Sequence, residues 1–155
     1  AEPSGNALAA HVLLRLGSIL GEDRYVTLAV ETFAAASLKV QQAPTAFLNL
    51  LLAADFYHYG ADEITFSGNV EHAGAKILLR ILGGYFIPNR VFVYAGAAEQ
   101  QETLPALQGR DISEDRPRVW VCRQRSCSDP ASTPEELHRV LAPYQCAFGR
   151  EGNIE

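Results

Sequence analysis

The sequence contains no methionine, a single tryptophan and only three cysteines. Three cysteines in 155 residues are too few for a disulfide scaffold and suit a reducing compartment, although Cys122 and Cys127 can still pair. No run of about 18 apolar residues occurs, so no segment reads as a membrane span, and the first residues lack the basic and apolar regions of a signal peptide. An excess of basic residues is also missing: 13 Lys and Arg stand against 18 Asp and Glu, a net charge of −5 with the cations scattered. A nucleic-acid binder needs a basic face that releases counterions, so that class is not expected. Without methionine, and opening on Ala1-Glu2-Pro3, the chain reads as a fragment or processed piece of something longer. The expectation is an intracellular, cytoplasmic protein with neither a nucleic-acid nor a membrane partner.

What the chain does have is 48% hydrophobic residues, enough for a real core, and a length that suggests one domain or one and a half. Its organising stretch runs from Ala61 to Gly96, where the hydrophobic period changes twice. Glu63-Ile64-Thr65-Phe66-Ser67 alternates like a strand, Ala73, Ile77 and Ile81 recur at helical spacing, and Val91-Phe92-Val93-Tyr94 is a short apolar run. Such a β-α-β unit winds right-handed and leaves its two strands parallel. Val119-Trp120-Val121-Cys122 reads as a third strand, most simply parallel to the others. Thr133-Pro134-Glu135-Glu136 is a capping box with proline at the first helical position, and it opens a last helix carrying Leu137, Val140 and Leu141. From Pro143 onward the residues read as a loose tail.

Before Gly60 the pattern is helical throughout. Ser4-Gly5-Asn6 supplies caps for a helix with Leu8, Val12, Leu16, Ile19 and Leu20 on its apolar side, and Gly21 ends it. Asp23 can cap a second helix, with Tyr25, Leu28, Thr32, Phe33 and Ala36 inward, to about Gln42. Pro44 breaks that pattern, and a third helix from about Thr45 carries Phe47, Leu48, Leu51, Leu52 and Phe56. It is apolar over more of its circumference than a surface helix needs, so a second covering surface is expected. The predicted fold is mixed α/β: helical hairpins over residues 1–60, a small three-stranded, mainly parallel sheet with flanking helices over 61–142, and a tail over 143–155.

Three places invite a functional reading. Cys122 and Cys127, at the end of a strand and in the loop after it, can form a reversible disulfide, and Arg123 and Arg125 beside them favour thiolate. A metal site is not expected, because zinc needs about four ligands and no second pair has matching spacing. Ser67-Gly68-Asn69 lies between the first strand and its helix, where α/β sheets bind anions, but a single glycine is no phosphate fingerprint. Glu2, Ser4 and Asn6 can line a sugar-sized pocket at a helix amino end, although capping alone explains Ser4 and Asn6. His11, His58, His72 and His138 lie on different elements and read as solvent-facing or core-edge residues. Trp120 and the six tyrosines are too dispersed to form a stacking platform and read as packing residues.

The order of motifs adds a resemblance. Glu2-Pro3-Ser4-Gly5-Asn6 with Leu13-Leu14-Arg15-Leu16, then Ile64 to Gly68, Ile87-Pro88-Asn89-Arg90-Val91, Val121-Cys122, Cys127, Pro130 and Pro134-Glu135-Glu136-Leu137 resemble the carboxyl-terminal part of the thioredoxin-domain-containing spermatogenesis-associated protein 20 family. The resemblance runs from Glu2 to about Leu141. It implies a parent with an amino-terminal thioredoxin-like domain, an α/α toroid similar to six-hairpin glycosidases, and a small α/β portion. Residues 1–60 would then be the last toroid helices. Two departures stand out: Ala7 replaces the small polar residue usual after the first motif, and the tail has no counterpart.

The resulting expectation is a piece with no complete active site, no cofactor, and the remainder of its parent chain (toroid and thioredoxin-like domain) as partner. The parent would act on carbohydrate-like or thiol substrates. The alternatives are a redox-responsive module using Cys122 and Cys127, or a purely structural cap of the toroid.

Overall fold

A computed structural model describes residues 4–96, 104–123 and 126–146, with the side chains of Gln145 and Cys146 left aside. The chain divides into two compact units, Ala1–Ala61 and Asp62–Glu155.

The first unit is helical. Helix α1 (Gly5–Leu20) starts where the Ser4 hydroxyl accepts a hydrogen bond from Ala7 N (3.2 Å) and ends at Gly21, whose φ of 67° suits glycine. Two residues later the chain turns into α2 (Asp23–Gln42). Glu22, not Asp23, occupies the cap position, and its side chain makes no capping bond. A 3₁₀ turn at Pro44–Phe47 leads into α3 (Leu48–Tyr59), which begins three residues later than the expected Thr45.

The buried face of α1 is not the expected leucine side. Ala7, Ala10, Leu14 and Gly17 are buried, while Leu8 and Val12 are exposed. Likewise Ala29 alone is buried on α2, and Leu28 faces solvent. The reason is close approach: a Cβ on Gly17 would meet Val26 Cγ2 at 2.9 Å. Small residues let the helices approach until larger side chains no longer fit between them. Helix α3 buries Leu50, Ala53 and Phe56 and leaves Leu48, Leu51, Leu52, Tyr57 and Tyr59 exposed. No described helix is long and apolar enough to cross a membrane.

The second unit is built on strand β1 (Asp62–Ser67). Helix α4 (Ala73–Gly83) crosses over to β2 (Tyr85–Phe86) and β3 (Arg90–Ala95). Strand β3 pairs parallel with β1 over the whole register from Asp62 with Arg90 to Ser67 with Ala95, as the β-α-β pattern predicts. After a 3₁₀ turn at Pro105–Leu107 come β4 (Arg118–Arg123) and β5 (Ser126–Cys127). The sheet is thus four-stranded, in the order β3-β1-β4-β5.

Strand β4 runs antiparallel to β1, which overturns the parallel orientation expected for it. Ala95 ends β3 beside Ser67, and Arg118 opens β4 beside the same Ser67. The connecting segment therefore leaves and re-enters at one end of the sheet. A parallel β4 would instead begin at the opposite end of the sheet, beside Asp62.

One sheet face carries Ile64, Phe66, Val119 and Val121 against Ala75, Leu78, Ile81 and Leu82 of α4 and Leu137 of α5 (Pro134–Val140). Ile77, expected inward, is exposed. The capping box of α5 forms as predicted: the Thr133 hydroxyl accepts from Glu136 N (3.3 Å), and Glu136 Oε2 accepts from Ser132 N and Thr133 N. By strand alternation the other face carries Thr65, Val93, Trp120 and Cys122. The expected tail is part of this unit as far as residue 146. Strand β6 (Gln145–Cys146) pairs antiparallel with β2, and the Tyr144 hydroxyl donates to Asp62 Oδ1 at 2.8 Å.

Two substitutions test this packing. Gly68 has a φ of 121°, and a Cβ there would lie 2.8 Å from Pro117 Cα, so Gly68→Ala adds backbone strain to a backbone clash. It should lower unfolding free energy by about 2–4 kcal/mol in denaturant titration. The Thr65 hydroxyl is buried with no hydrogen-bond partner among the described residues, so Thr65→Val should be neutral or stabilising by up to about 1 kcal/mol. A clear loss of stability in Thr65→Val would show that the hydroxyl is satisfied.

Candidate functional site

The site grows from the turn that folds β5 back on β4. Pairing of Arg123 with Ser126 closes the hairpin and sets Cys122 directly opposite Cys127, with their Cα atoms 3.9 Å apart. The two sulfurs form a disulfide. Cys127 thus stands on a strand, where a loop was expected. The hairpin is tied further by Ser128 N donating to Val121 O (2.9 Å) and Val121 N donating to the Ser128 hydroxyl (3.3 Å). The two ends of the disulfide differ in setting. Cys122 is 4% exposed, whereas Cys127 lies open on the outermost strand.

The cation at this disulfide is Arg110. Its Nη2 donates to Cys122 Sγ at 3.1 Å and reaches Cys127 Sγ at 4.0 Å, and its guanidinium lies over the Trp120 ring, 5.4 Å from the centroid. Arg110 N bonds back to Leu107 O, so the 3₁₀ turn sets where this side chain starts. Burial lowers the guanidinium pKa from its ordinary value, and the Glu63 carboxylate opposes that shift. Glu63 stands opposite Cys122 in the β1–β4 register. The arrangement therefore joins a disulfide, a desolvated cation held by an indole, and a carboxylate that tempers the cation. Chemically it favours a thiolate over a thiol once the bond opens.

Arg110 was missed by sequence reasoning, and no local signal marks it: it lies 12 residues before Cys122 in a polar stretch without period. Of the two arginines expected to serve the thiols, Arg123 instead pairs with Asp62 (3.6 Å) and lies over Tyr144, and Arg125 falls outside the described residues. Among the described residues no group of three or more His, Cys, Asp or Glu side chains is placed to hold a metal.

The remaining candidates are dispersed. Gly68 is packed against Pro117, Asn69 Oδ1 accepts from Glu71 N (2.8 Å), and the amino end of α4 is capped by His72 Nδ1 accepting from Gly74 N (3.1 Å). Asn69 and the amino end of α4 are thus engaged within the chain, while the buried Ser67 hydroxyl has no hydrogen-bond partner among the described residues. Glu2 lies outside the described residues, Ser4 caps α1, and Asn6 lines an open cleft of about 520 Å³ with Leu13, Leu28, Glu31, Lys39 and Phe47. His11 contacts Asn49 O and Arg15 through its two ring nitrogens, and burial, then Arg15, lowers its pKa. His138 meets the Tyr85 hydroxyl at 2.8 Å, and His58 packs edge-on against Tyr59.

Comparison with known proteins gives the motifs a context. A human protein is 29% identical over 146 residues, covering 92% of this chain. The chain is similar to spermatogenesis-associated protein 20. The resemblance drawn from the motifs is borne out: the rat and mouse proteins of that name are 29% and 28% identical over 144 residues, covering 91% of the chain. The chain spans only about a fifth of their length, 19% of human and 18% of rat and mouse spermatogenesis-associated protein 20. No protein-family model matches the chain, and no solved structure does.

The Tyr144 phenol is pushed up to about 12 by burial and by its bond to Asp62. Its contribution to stability is complete below the ordinary value of 10.0 and is lost as pH rises through about 12. Melting temperatures of Tyr144→Phe between about pH 9 and 12 should fall less steeply than those of the unsubstituted chain. Parallel curves would show that the bond contributes nothing.

Proposed function

We propose that the chain is an architectural portion of a spermatogenesis-associated protein 20-like protein, without a complete active site of its own. Its helical unit is completed by further helices of the same parent. The observation that supports this most is α3, which turns Leu48, Leu51, Leu52, Tyr57 and Tyr59 outward while also burying Leu50 and Phe56. Leu48, Leu51 and Leu52 are 59%, 38% and 58% exposed, so covering what remains of each contributes about 1–1.5 kcal/mol, enough in sum to seat a helix against its neighbours. In this reading residues 1–60 close an α/α toroid, the α/β portion caps it, and chemistry on carbohydrate-like or thiol substrates belongs to the toroid and thioredoxin-like domain. The parent is cytoplasmic, and the partner is the rest of that chain rather than nucleic acid or membrane.

A second reading has its own support in the contact between Arg110 and the disulfide. It treats the β4–β5 hairpin as a redox-responsive edge, closed as disulfide and loosened as dithiol. A compartment that keeps thiols reduced would make such a bond transient.

The first reading predicts that Leu48→Glu with Leu52→Glu lowers the melting temperature of the full-length parent by several degrees and reduces self-association of the 155-residue chain. Removing residues 61–142 from the parent should likewise lower its stability while leaving its catalytic constants intact. Activity of the 155-residue chain alone in sugar epimerisation, glycoside hydrolysis or disulfide reduction would overturn it.

A further inference from the structure

The disulfide is lopsided, and the lopsidedness bears on how it opens. Thiol–disulfide exchange needs a thiolate to reach one sulfur while the other leaves with the electron pair. Cys127 is exposed on the edge strand, whereas Cys122 is buried under Arg110 on the inner one. Access therefore directs attack to Cys127. A buried sulfur alone would be a poor leaving group, since burial disfavours the thiolate. Arg110 offsets that penalty where it falls: its Nη2 is 3.1 Å from Cys122 and 4.0 Å from Cys127, so developing charge on Cys122 meets a charge-assisted hydrogen bond already in place.

We infer that the Cys122–Cys127 bond is a polarised disulfide opened by a small thiol of the glutathione class, which attacks Cys127 and expels Cys122 as a thiolate held by Arg110. The inference rests on the redox reading above and specifies its direction and co-reactant. A small thiol fits an exposed two-residue strand without needing a docking surface. In the first step glutathione thiolate bonds to Cys127 Sγ, the Cys122–Cys127 bond breaks, and its electron pair stays on Cys122 Sγ. A second glutathione thiolate then attacks the bound glutathione sulfur and releases Cys127 as thiolate. Two glutathiones are oxidised to their disulfide and the protein disulfide is reduced by two electrons; of the two protons lost when glutathione ionised, one goes to the Cys127 thiolate and one to solvent, and Cys122 stays a thiolate on Arg110. Arg110 acts here by stabilising the departing sulfur; Glu63 favours the charged guanidinium, but its own carboxylate, opposite Cys122 in the register, repels negative charge developing on that sulfur.

The test incubates the oxidised 155-residue chain with reduced glutathione, quenches with an alkylating reagent at intervals, and maps both cysteines by mass spectrometry. The expected early product carries glutathione on Cys127 and the alkyl group on Cys122. Arg110→Gln should slow opening roughly tenfold, Arg110→Lys much less, and Glu63→Gln should speed it two- to threefold. Circular dichroism of each oxidised variant checks folding, and if Arg110→Gln does not fold, the acceleration in Glu63→Gln decides. Glutathione found on Cys122, or an unchanged rate in a folded Arg110→Gln, overturns the inference and leaves the redox reading standing. So does opening by a protein dithiol such as thioredoxin when glutathione has no effect. A disulfide that neither reagent opens removes both.

Discussion

Strand β1 pairs along its whole length with β3 on one side and with β4 on the other, so six residues carry two ladders at once. All of them except the half-buried Glu63 are buried, which places hydrophobic burial and backbone pairing on the same short segment. Everything functional in this unit takes its position from that strand. Asp62 holds Tyr144 and Arg123, Glu63 faces Arg110 and Cys122, and Ser67 marks the end where both β3 finishes and β4 begins. A slip of one residue in β1 would exchange its faces and put Ile64 and Phe66 where Thr65 now lies.

The parts of this fold that could be read from sequence are those settled within a few residues. Ser4 and the Thr133–Glu136 box announce helix starts through hydrogen bonds to their own neighbours, and β1, α4 and β3 follow from periods confined to single elements. The direction of β4 could not be read, because it depends on where a long polar connection re-enters the sheet and not on Val119 to Cys122 themselves. The inward face of α1 escaped for a related reason. It offers both a leucine side and an alanine-glycine side, and only the approach of neighbouring helices selects between them. The pairing of β2 with β6 is long-range, joining residues 61 and 59 positions apart, and leaves no local trace.

The candidate site divides the same way. The two cysteines were visible as a spaced pair, and the register of β4 with β5 turns that spacing into a bond. The cation that gives the bond its asymmetry was not visible, because Arg110 reaches the sulfurs by folding back over Trp120. The arginines adjacent in sequence were the natural guess. Yet side chains of consecutive strand residues point to opposite faces, so Arg123 turns away from Cys122 toward Asp62 and Tyr144.

The alanine and glycine seam along α1 gives the helical unit a particular kind of fragility. A core built of leucine and phenylalanine suffers when atoms are taken away, because a void opens. Here Ala7, Ala10, Gly17, Ala29 and Ala53 have almost nothing to lose, and injury comes from the opposite direction. Any side chain that grows at these positions wedges the helices apart, so this seam, unlike the buried Leu14, Leu50 and Phe56, tolerates trimming far better than enlargement.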